Sequence, residues 1–215
     1  MDPRLRTPAL RGDLAAVNRA LDEGADPNLA DPDGYNPLIF AAVNNRVDCA
    51  ARLIEAGARV DCHTRELRTP LNIAARYGYA DMIRVLLASG AQIDFRPTSE
   101  EYGITWSPMH FAMYHGHHAA MSALLAAGAD PNNRKGHSST QNRSPLASAV
   151  GKITVHVPRR SKIPTLLLRA GASINDPEVT AFFQNLNDPQ GHLDPHKRKA
   201  IAYLGAVHAA GSFPA

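Results

Sequence analysis

Apolar residues along this chain fall into short groups with helical spacing, separated by glycine, proline and asparagine. The run TPLNIAARYGYADMIRVLLASGAQID, residues 69–94, shows the pattern best. In its second half the apolar positions are Met82, Ile83, Val85, Leu86 and Leu87. Gly78 and Gly90 punctuate the run, and glycine readily adopts the left-handed conformation that ends a helix. The pattern predicts two short helices, one before Gly78 and one between Gly78 and Gly90.

This pattern is repeated. One phrase occurs five times, as LDEGADPN (21–28), IEAGARVD (54–61), LASGAQID (87–94), LAAGADPN (125–132) and LRAGASIN (168–175). Its glycines are spaced by 33, 33, 38 and 43 residues. A second phrase precedes four of the copies, as NPLIFAA, TPLNIAA, SPMHFAM and SPLASAV. Periods of this length are typical of stacked repeats that each supply one supersecondary unit.

Every copy of this second phrase contains the residues that typically begin a helix. A side chain that can cap a helix stands before a proline, which suits the first helical position because it lacks an N–H donor. The four capping residues are Asn36, Thr69, Ser107 and Ser144. Gly78 and Gly116 then end the first helix, and Asn45, the best substitute for glycine in the left-handed conformation, holds the same place one repeat earlier. Each repeat is therefore predicted to be a helical hairpin followed by an extended connector.

With these phrases and this period, the chain resembles the ankyrin-repeat family over roughly residues 10–175. The resemblance implies an all-α solenoid of antiparallel helix pairs joined by β-hairpin-like fingers, with a concave binding face. We predict an ankyrin-repeat domain over 1–175, with repeats near 1–30, 31–63, 64–96, 102–134 and 139–175, and a helical C-terminal cap over 176–215.

Two repeats depart from the pattern. In the first, Arg4 stands where the proline is expected and Pro8 falls within the first helix, so that helix is expected to be short or frayed. The fifth, which starts at Ser144, carries six extra residues between its helices, within GKITVHVPRRSKIP. Insertions in repeats map to loops at one edge of the stack.

Composition places the chain among intracellular proteins. It has 215 residues, 44% of them apolar, and no stretch that resembles a signal peptide or a membrane span. Cys49 and Cys62 are expected to stay reduced, and Cys49 to pack within a helix rather than act as a nucleophile. We expect a cytoplasmic protein, with the nucleus as the open alternative.

Four histidines stand close together in SPMHFAMYHGHH, which raises the question of a metal site. At ~100° per residue, His110 and His115 lie about 140° apart around a helix. Gly116 then ends that helix before His117 and His118, and no nearby cysteine completes a zinc site. The ankyrin pattern itself favours histidine at 110 and 117. No metal, cofactor or catalytic motif is therefore predicted, and a histidine-metal protein or enzyme is the least favoured alternative.

The variable positions of the repeats predict a binding surface. In the family resembled here, the fingers and the exposed ends of the first helices face the concave side. The finger position two residues before each proline holds Tyr35, Arg68, Trp106 and Arg143. The helix positions six and seven residues after each of these prolines hold Val43 and Asn44, Arg76 and Tyr77, Tyr114 and His115, and Gly151 and Lys152. Tyr, Trp and Arg are enriched in binding hot spots. The alternative is that the finger rings only pad neighbouring fingers.

The fifth repeat suggests a second kind of partner. Residues 131–175 contain no Asp or Glu and carry a charge of +8, whereas the rest of the chain sums to −5. The cations that would attract a nucleic acid or an acidic surface are Arg134, Lys135, Arg159, Arg160 and Lys162. No nucleic-acid motif accompanies them, so a solvated loop is favoured over a polyanion site.

Taken together, these patterns predict a non-enzymatic protein-binding module or adaptor. Its partners would be one or more proteins, it would bind them through the concave face, and the chain itself would be a monomer. Nucleic-acid binding through the basic repeat is the alternative.

Overall fold

A computed structural model describes residues 3–99, 103–104, 106–133, 144–153, 162–173 and 179. The chain divides into two compact units, Met1–Ala129 and Asp130–Ala215, and each is described by itself. The predicted C-terminal cap, 176–215, lies outside the described residues except for Val179.

The first unit is built of four helical hairpins, as the repeats predict. Its helices are α1 (Pro3–Arg11), α2 (Leu14–Asp22), α3 (Pro37–Val43), α4 (Val47–Glu55), α5 (Pro70–Tyr77), α6 (Ala80–Ala88), α7 (Pro108–His115) and α8 (His118–Ala126). The first helices pack side by side in the order α1, α3, α5, α7, and the second helices in the order α2, α4, α6, α8. Apolar side chains between these two layers form the core, with Leu38, Leu53 and Met82 among those fully buried.

The second unit contains one further helical hairpin. Its helices are α9 (Pro145–Ile153) and α10 (Lys162–Arg169), which pack against each other. The hydroxyl of Ser144 accepts a hydrogen bond from the backbone N–H of Ala147 (3.1 Å), so the predicted cap of this helix is confirmed.

Side-chain caps also begin α3, α5 and α7 of the first unit. The side-chain oxygens of Asn36 and Thr69 accept the N–H groups of residues 39 and 72 at 2.9 and 3.0 Å. Ser107 Oγ receives the N–H of His110 over a longer 3.4 Å. At the other helix ends, Gly78 (φ 79°) and Asn45 (φ 53°) are left-handed, which confirms the substitution of asparagine for glycine.

Helix α1 corrects one expectation, since it is neither short nor frayed. It has nine residues although Pro8 lies within it. The proline forfeits one N–H bond, but its own carbonyl accepts the N–H groups of Gly12 (2.8 Å) and Asp13 (3.0 Å) at the helix end. Leu5 and Ala9 are fully buried, so packing holds the helix in place.

The fingers are tight turns that approach one another closely. Gly34 (φ 82°) and Leu67 (φ 62°) occupy the same place in successive fingers and are both left-handed. A methyl group at Gly34 would meet the Cα of Thr64 in the next finger at 2.9 Å. The finger between α6 and α7 carries an insertion, because the connector from Gly90 to Pro108 is longer than the two before it. Within it β1 (Thr98–Ser99) pairs antiparallel with β2 (Gly103–Ile104).

Hydrogen bonds also link successive repeats where each connector begins. Asn28 donates from Nδ2 to the carbonyl of Gly57 (2.9 Å) and accepts the N–H of Arg59 at Oδ1 (2.8 Å). Asn132 forms the same pair of bonds with Gly171 (3.1 Å) and Ser173 (2.6 Å) in the second unit. The position four residues after the repeat glycine thus links two repeats at Asn28, at Asn132 and at Asp61, whose carboxylate accepts the N–H of Gln92.

Within the part of the chain that the structure describes, no helix is long and apolar enough to cross a membrane.

Candidate functional site

The exposed ends of the first helices form a continuous surface of the first unit, here called the first-helix face. Its residues are the two positions before the left-handed residue at the end of each helix: Leu10 and Arg11, Val43 and Asn44, Arg76 and Tyr77, Tyr114 and His115. Val43 and Asn44 are half-buried, and the other six are exposed. The face thus contains five of the predicted binding residues: Asn44, Arg76, Tyr77, Tyr114 and His115.

Two of the predicted finger residues pack against the first helix of their own repeat. The rings of Tyr35 and Phe40 have centroids 5.4 Å apart and planes at 39°, and those of Trp106 and Phe111 are 5.4 Å apart at 40°. In both pairs the second ring is five residues further along, on the first helix of the same repeat. Tyr35 and Trp106 are half-buried. Both rings therefore pack a finger against the helix that follows it. Only part of each ring surface remains accessible to a partner.

Trp106 also supports the exposed aromatic group at the end of α7. Its ring meets that of Tyr114 edge-on, with centroids 5.0 Å apart, and Tyr114 meets His115 in the same way at 5.2 Å. His115 stacks on His117 at 6.0 Å. Tyr114 keeps 39% of its surface exposed. Because aromatic neighbours restrict its rotation, little side-chain entropy remains to be lost on binding.

The neighbouring helix α5 presents the most exposed tyrosine of this face. Tyr77 is 50% exposed and stacks on Tyr79, with ring centroids 5.7 Å apart. The Nε2 atom of His117 lies 3.0 Å from the carbonyl oxygen of Arg76, to which it donates. This bond fixes the backbone at the end of α5 and leaves the Arg76 side chain exposed.

Asn44 and Arg68 are engaged within the chain. Asn44 donates from Nδ2 to the carbonyl of Phe40, one turn earlier in its own helix (2.9 Å). Arg68 forms an ion pair with Glu66 in the same finger. A partner would have to compete with these contacts to use either side chain.

The remaining predicted residues lie outside what the structure describes. These are Arg143 of the finger row, and Arg134, Lys135, Arg159 and Arg160 of the basic repeat. Lys152 and Lys162 are placed within α9 and α10, but their side chains are outside the described part.

The clustered histidines have separate structural partners. His110 is 3% exposed, and its Nδ1 lies 2.7 Å from the Ser107 hydroxyl. The ring of His117 covers Gly78 of the preceding repeat, where a methyl group would come within 2.7 Å of it. Among the described residues, no three His, Cys, Asp or Glu side chains are grouped so that they could hold a metal ion.

Neither thiol is placed for nucleophilic chemistry. Cys49 is buried, Cys62 is half-buried, and both are free. Burial raises the pKa of the Cys62 thiol to about 11, although a hydrogen bond from the Asn36 side chain opposes the shift. Burial likewise raises the pKa of Cys49, and the carboxylates of Asp48 and Asp13 add to this. A thiol with a raised pKa is a poor nucleophile at neutral pH.

Comparison with known proteins identifies the repeats. The family model of ankyrin repeats in three copies matches residues 7–97, and that of the single ankyrin repeat matches 106–136. Cyclin-dependent kinase 4 inhibitor B of Rattus norvegicus is 32% identical over 130 residues, which cover 60% of this chain and 95% of that protein. This chain belongs to the ankyrin-repeat family.

Other ankyrin-repeat proteins resemble the chain over a small part of their own length. Inversin of Mus musculus is 30% identical over 188 residues, 87% of this chain but 16% of Inversin. Ankyrin repeat protein nuc-2 of Neurospora crassa is 29% identical over 136 residues, 49% of this chain and 13% of that protein. The solved human ASB11 ankyrin repeat domain superposes with a TM-score of 0.69 at 26% identity, covering 95% of this chain and 84% of that one.

Family membership gives the general role. Ankyrin repeats are in general protein–protein interaction modules, and the ankyrin fold is typically a non-enzymatic scaffold. Function in such scaffolds is carried by the exposed residues, which differ from one member to the next.

Sequence reasoning missed the residues that hold successive repeats together. The position of Asn28 and Asn132 is Asn or Asp in all five copies of the glycine phrase: Asn28, Asp61, Asp94, Asn132 and Asn175. That regularity could have revealed their linking role. Recognising that His117 covers Gly78 required the structure, because the two residues are far apart in sequence.

Proposed function

We propose that this chain is a non-enzymatic adaptor that recognises a protein partner through the first-helix face. The observation that carries the proposal is the exposure of two large tyrosines, Tyr77 and Tyr114, on the neighbouring helices α5 and α7. Exposed aromatic side chains with restricted rotation bury much area at low entropic cost, as binding hot spots do.

The surroundings of these tyrosines support the same role. Arg76 and His115 stand beside them in sequence and are exposed, so polar groups flank the rings. The half-buried Trp106, in the preceding finger, contacts the Tyr114 ring and restricts its rotation. A rigid aromatic centre with polar neighbours is the usual arrangement of a protein interface.

Affinity capture of partners from lysate of the source cells, with single alanine variants, tests the proposal. Tyr77→Ala and Tyr114→Ala are expected to lower the recovery of specific partners at least about tenfold, since a hot-spot side chain contributes about 2 kcal/mol. Trp106→Ala should have a smaller effect, because part of its ring surface is already used within the chain.

Leu14→Ala is the matched control. Leu14 is a large exposed apolar residue, at 37%, but it belongs to α2 in the layer of second helices. If the tyrosine variants retain every partner that the Leu14 variant retains, the first-helix face is not the binding surface.

A further inference from the structure

The charges of the first unit are divided between its two layers of helices. The first helices, α1, α3, α5 and α7, contain no Asp or Glu, and their basic side chains are Arg4, Arg6, Arg11 and Arg76 together with histidines. The second helices carry both signs, with Asp22, Asp48, Glu55 and Asp81 beside Arg19, Arg52 and Arg84. Every carboxylate on a helix of this unit thus lies in the other layer.

Three of the four first-layer arginines lack the carboxylate partners seen in the second layer; the exception is Arg4, whose Nη1 lies 3.9 Å from Oε2 of Glu23. In the second layer Arg52 lies 3.8 Å from Asp22, and Arg84 pairs with Asp81. Within the described part of the chain, no carboxylate forms an ion pair with Arg6, Arg11 or Arg76. All three are exposed. Arg6, Arg11 and Arg76 therefore give the first layer positive charge that no described carboxylate neutralises by an ion pair.

These cations alternate with the aromatic groups of the first-helix face. Arg76 and Tyr114 hold the same position on the adjacent helices α5 and α7, as Arg11 and Tyr77 do on α1 and α5. The Arg6 guanidinium lies over the ring of Phe40, 5.5 Å from its centroid, which partly fixes this cation beside the first finger.

We propose that the partner segment bound by the first-helix face is acidic, with apolar residues between its carboxylates. The inference rests on the proposed function and adds the chemistry of the partner to it. Arg11 and Arg76 are two helices apart, about 20 Å at the usual spacing of packed helices. An extended segment of about six residues spans that distance, so carboxylates near its two ends would reach both arginines. An apolar residue between them would lie over Val43 on α3, and one next to the carboxylate at Arg76 would cover Tyr77 on the same helix.

A nucleic acid fits this face less well than an acidic protein segment does. Nucleic-acid sites neutralise many phosphates along a continuous path, whereas here Arg6, Arg11 and Arg76 are separated by apolar and aromatic side chains. The fingers beside the face also carry acidic residues, among them the exposed Asp33 and Glu66. A peptide can place its carboxylates at the arginines and avoid these positions, but a phosphate backbone has uniform charge.

Selection of short random peptides displayed on phage, against the full chain, tests the proposal without assuming a partner. The selected peptides are expected to contain Asp and Glu well above their frequency in the library. Their affinity should fall about tenfold with Arg76→Gln and further with Arg76→Glu, and it should weaken as salt is raised. Arg84→Glu is the matched control, because it makes the same charge change at an exposed site on the second helix of the same repeat.

The possible outcomes separate the two proposals. Selected peptides without an acidic excess, peptides that bind Arg76→Glu as well as the original chain, or failure to select any peptide would overturn the acidic partner. So would tighter Arg76-dependent binding of labelled oligothymidylate than of the selected peptides. Peptides that lack acids but lose affinity with Tyr77→Ala would leave the first-helix face as a protein-binding surface. Circular dichroism checks that each variant folds.

Discussion

His110 and Asn72 hold the same place in neighbouring first helices, yet they differ in side-chain hydrogen bonding. His110 Nδ1 lies 2.7 Å from the Ser107 hydroxyl. The side-chain oxygen and nitrogen of Asn72 are buried and form no hydrogen bond to any described residue. Burying a polar group without a partner costs about 1–3 kcal/mol, so Asn72 weakens the third repeat.

Asn72→His is therefore expected to stabilise the protein by about 1 kcal/mol, because the ring could bond to the Thr69 hydroxyl as His110 does to Ser107. The reverse change, His110→Asn, should destabilise it by a similar amount. Urea unfolding followed by circular dichroism measures both. If Asn72→His lowers the urea midpoint, the buried Asn72 side chain does not destabilise the third repeat as proposed.

Gly34 contributes to stability because it allows two neighbouring fingers to pack closely against each other. Gly34 and Gly24 have nearly the same backbone angle, φ 82° and φ 80°. A methyl group at Gly24 would meet nothing within 4 Å, whereas at Gly34 it would meet the backbone of the next finger at 2.9 Å. The two glycines thus separate backbone strain from contact between fingers.

Gly24→Ala is expected to destabilise the protein by about 1 kcal/mol, from the left-handed backbone alone. Gly34→Ala should cost at least about 1 kcal/mol more, because the neighbouring finger has to shift. The urea midpoints of the two variants give the comparison. If the two variants lose the same free energy of unfolding, the fingers can move apart at no cost in stability.

The helices were predictable from sequence because each of their ends is marked locally. Capping residues such as Thr69 and glycines such as Gly78 set the boundaries within a few residues, with no need for distant contacts. Helix α1 was judged wrongly, since the local signal of Pro8 favoured a short helix while the burial of Leu5 and Ala9 favoured a full one. Packing overrode the local signal.

The residues of the candidate site were predicted from their positions in the repeats, but the contacts that those residues make within the chain were not. The repeat alignment placed Tyr35 and Tyr77 in equivalent exposed rows. Only the structure shows that Tyr35 leans on Phe40, whereas Tyr77 is half exposed. Arg76 was predicted as a binding residue, but Arg6 and Arg11 were missed, because ion pairing depends on which layer of helices holds the carboxylates.

At the scale of the whole first unit, stability is carried by contacts between neighbouring repeats. Trp106, the only tryptophan of the chain, packs against Phe111 and Tyr114 in the fourth repeat. Its fluorescence therefore reports on one end of the unit, while circular dichroism reports on all the helices. In a stacked array, coupling between neighbours decides whether the two signals change together.

We expect Gly34→Ala, two repeats away from Trp106, to shift the fluorescence midpoint in urea by the same amount as the circular dichroism midpoint. The first helices pack in an unbroken series from α1 to α7, so loss of one junction should propagate. A fluorescence midpoint unchanged by the substitution would instead show that the repeats near Trp106 unfold independently.

The insertion in the finger before α7 shows how this architecture accommodates changes in length. The connector from Gly90 to Pro108 is longer than the two before it, yet α5 and α7 pack directly against each other. Thr98 pairs with Ile104, so the chain leaves and returns at nearly the same point. A peptide epitope or a small binding loop grafted between these strands would extend the finger that carries Trp106 while the helices keep their spacing. This finger is thus the natural site at which to engineer a new specificity into the protein.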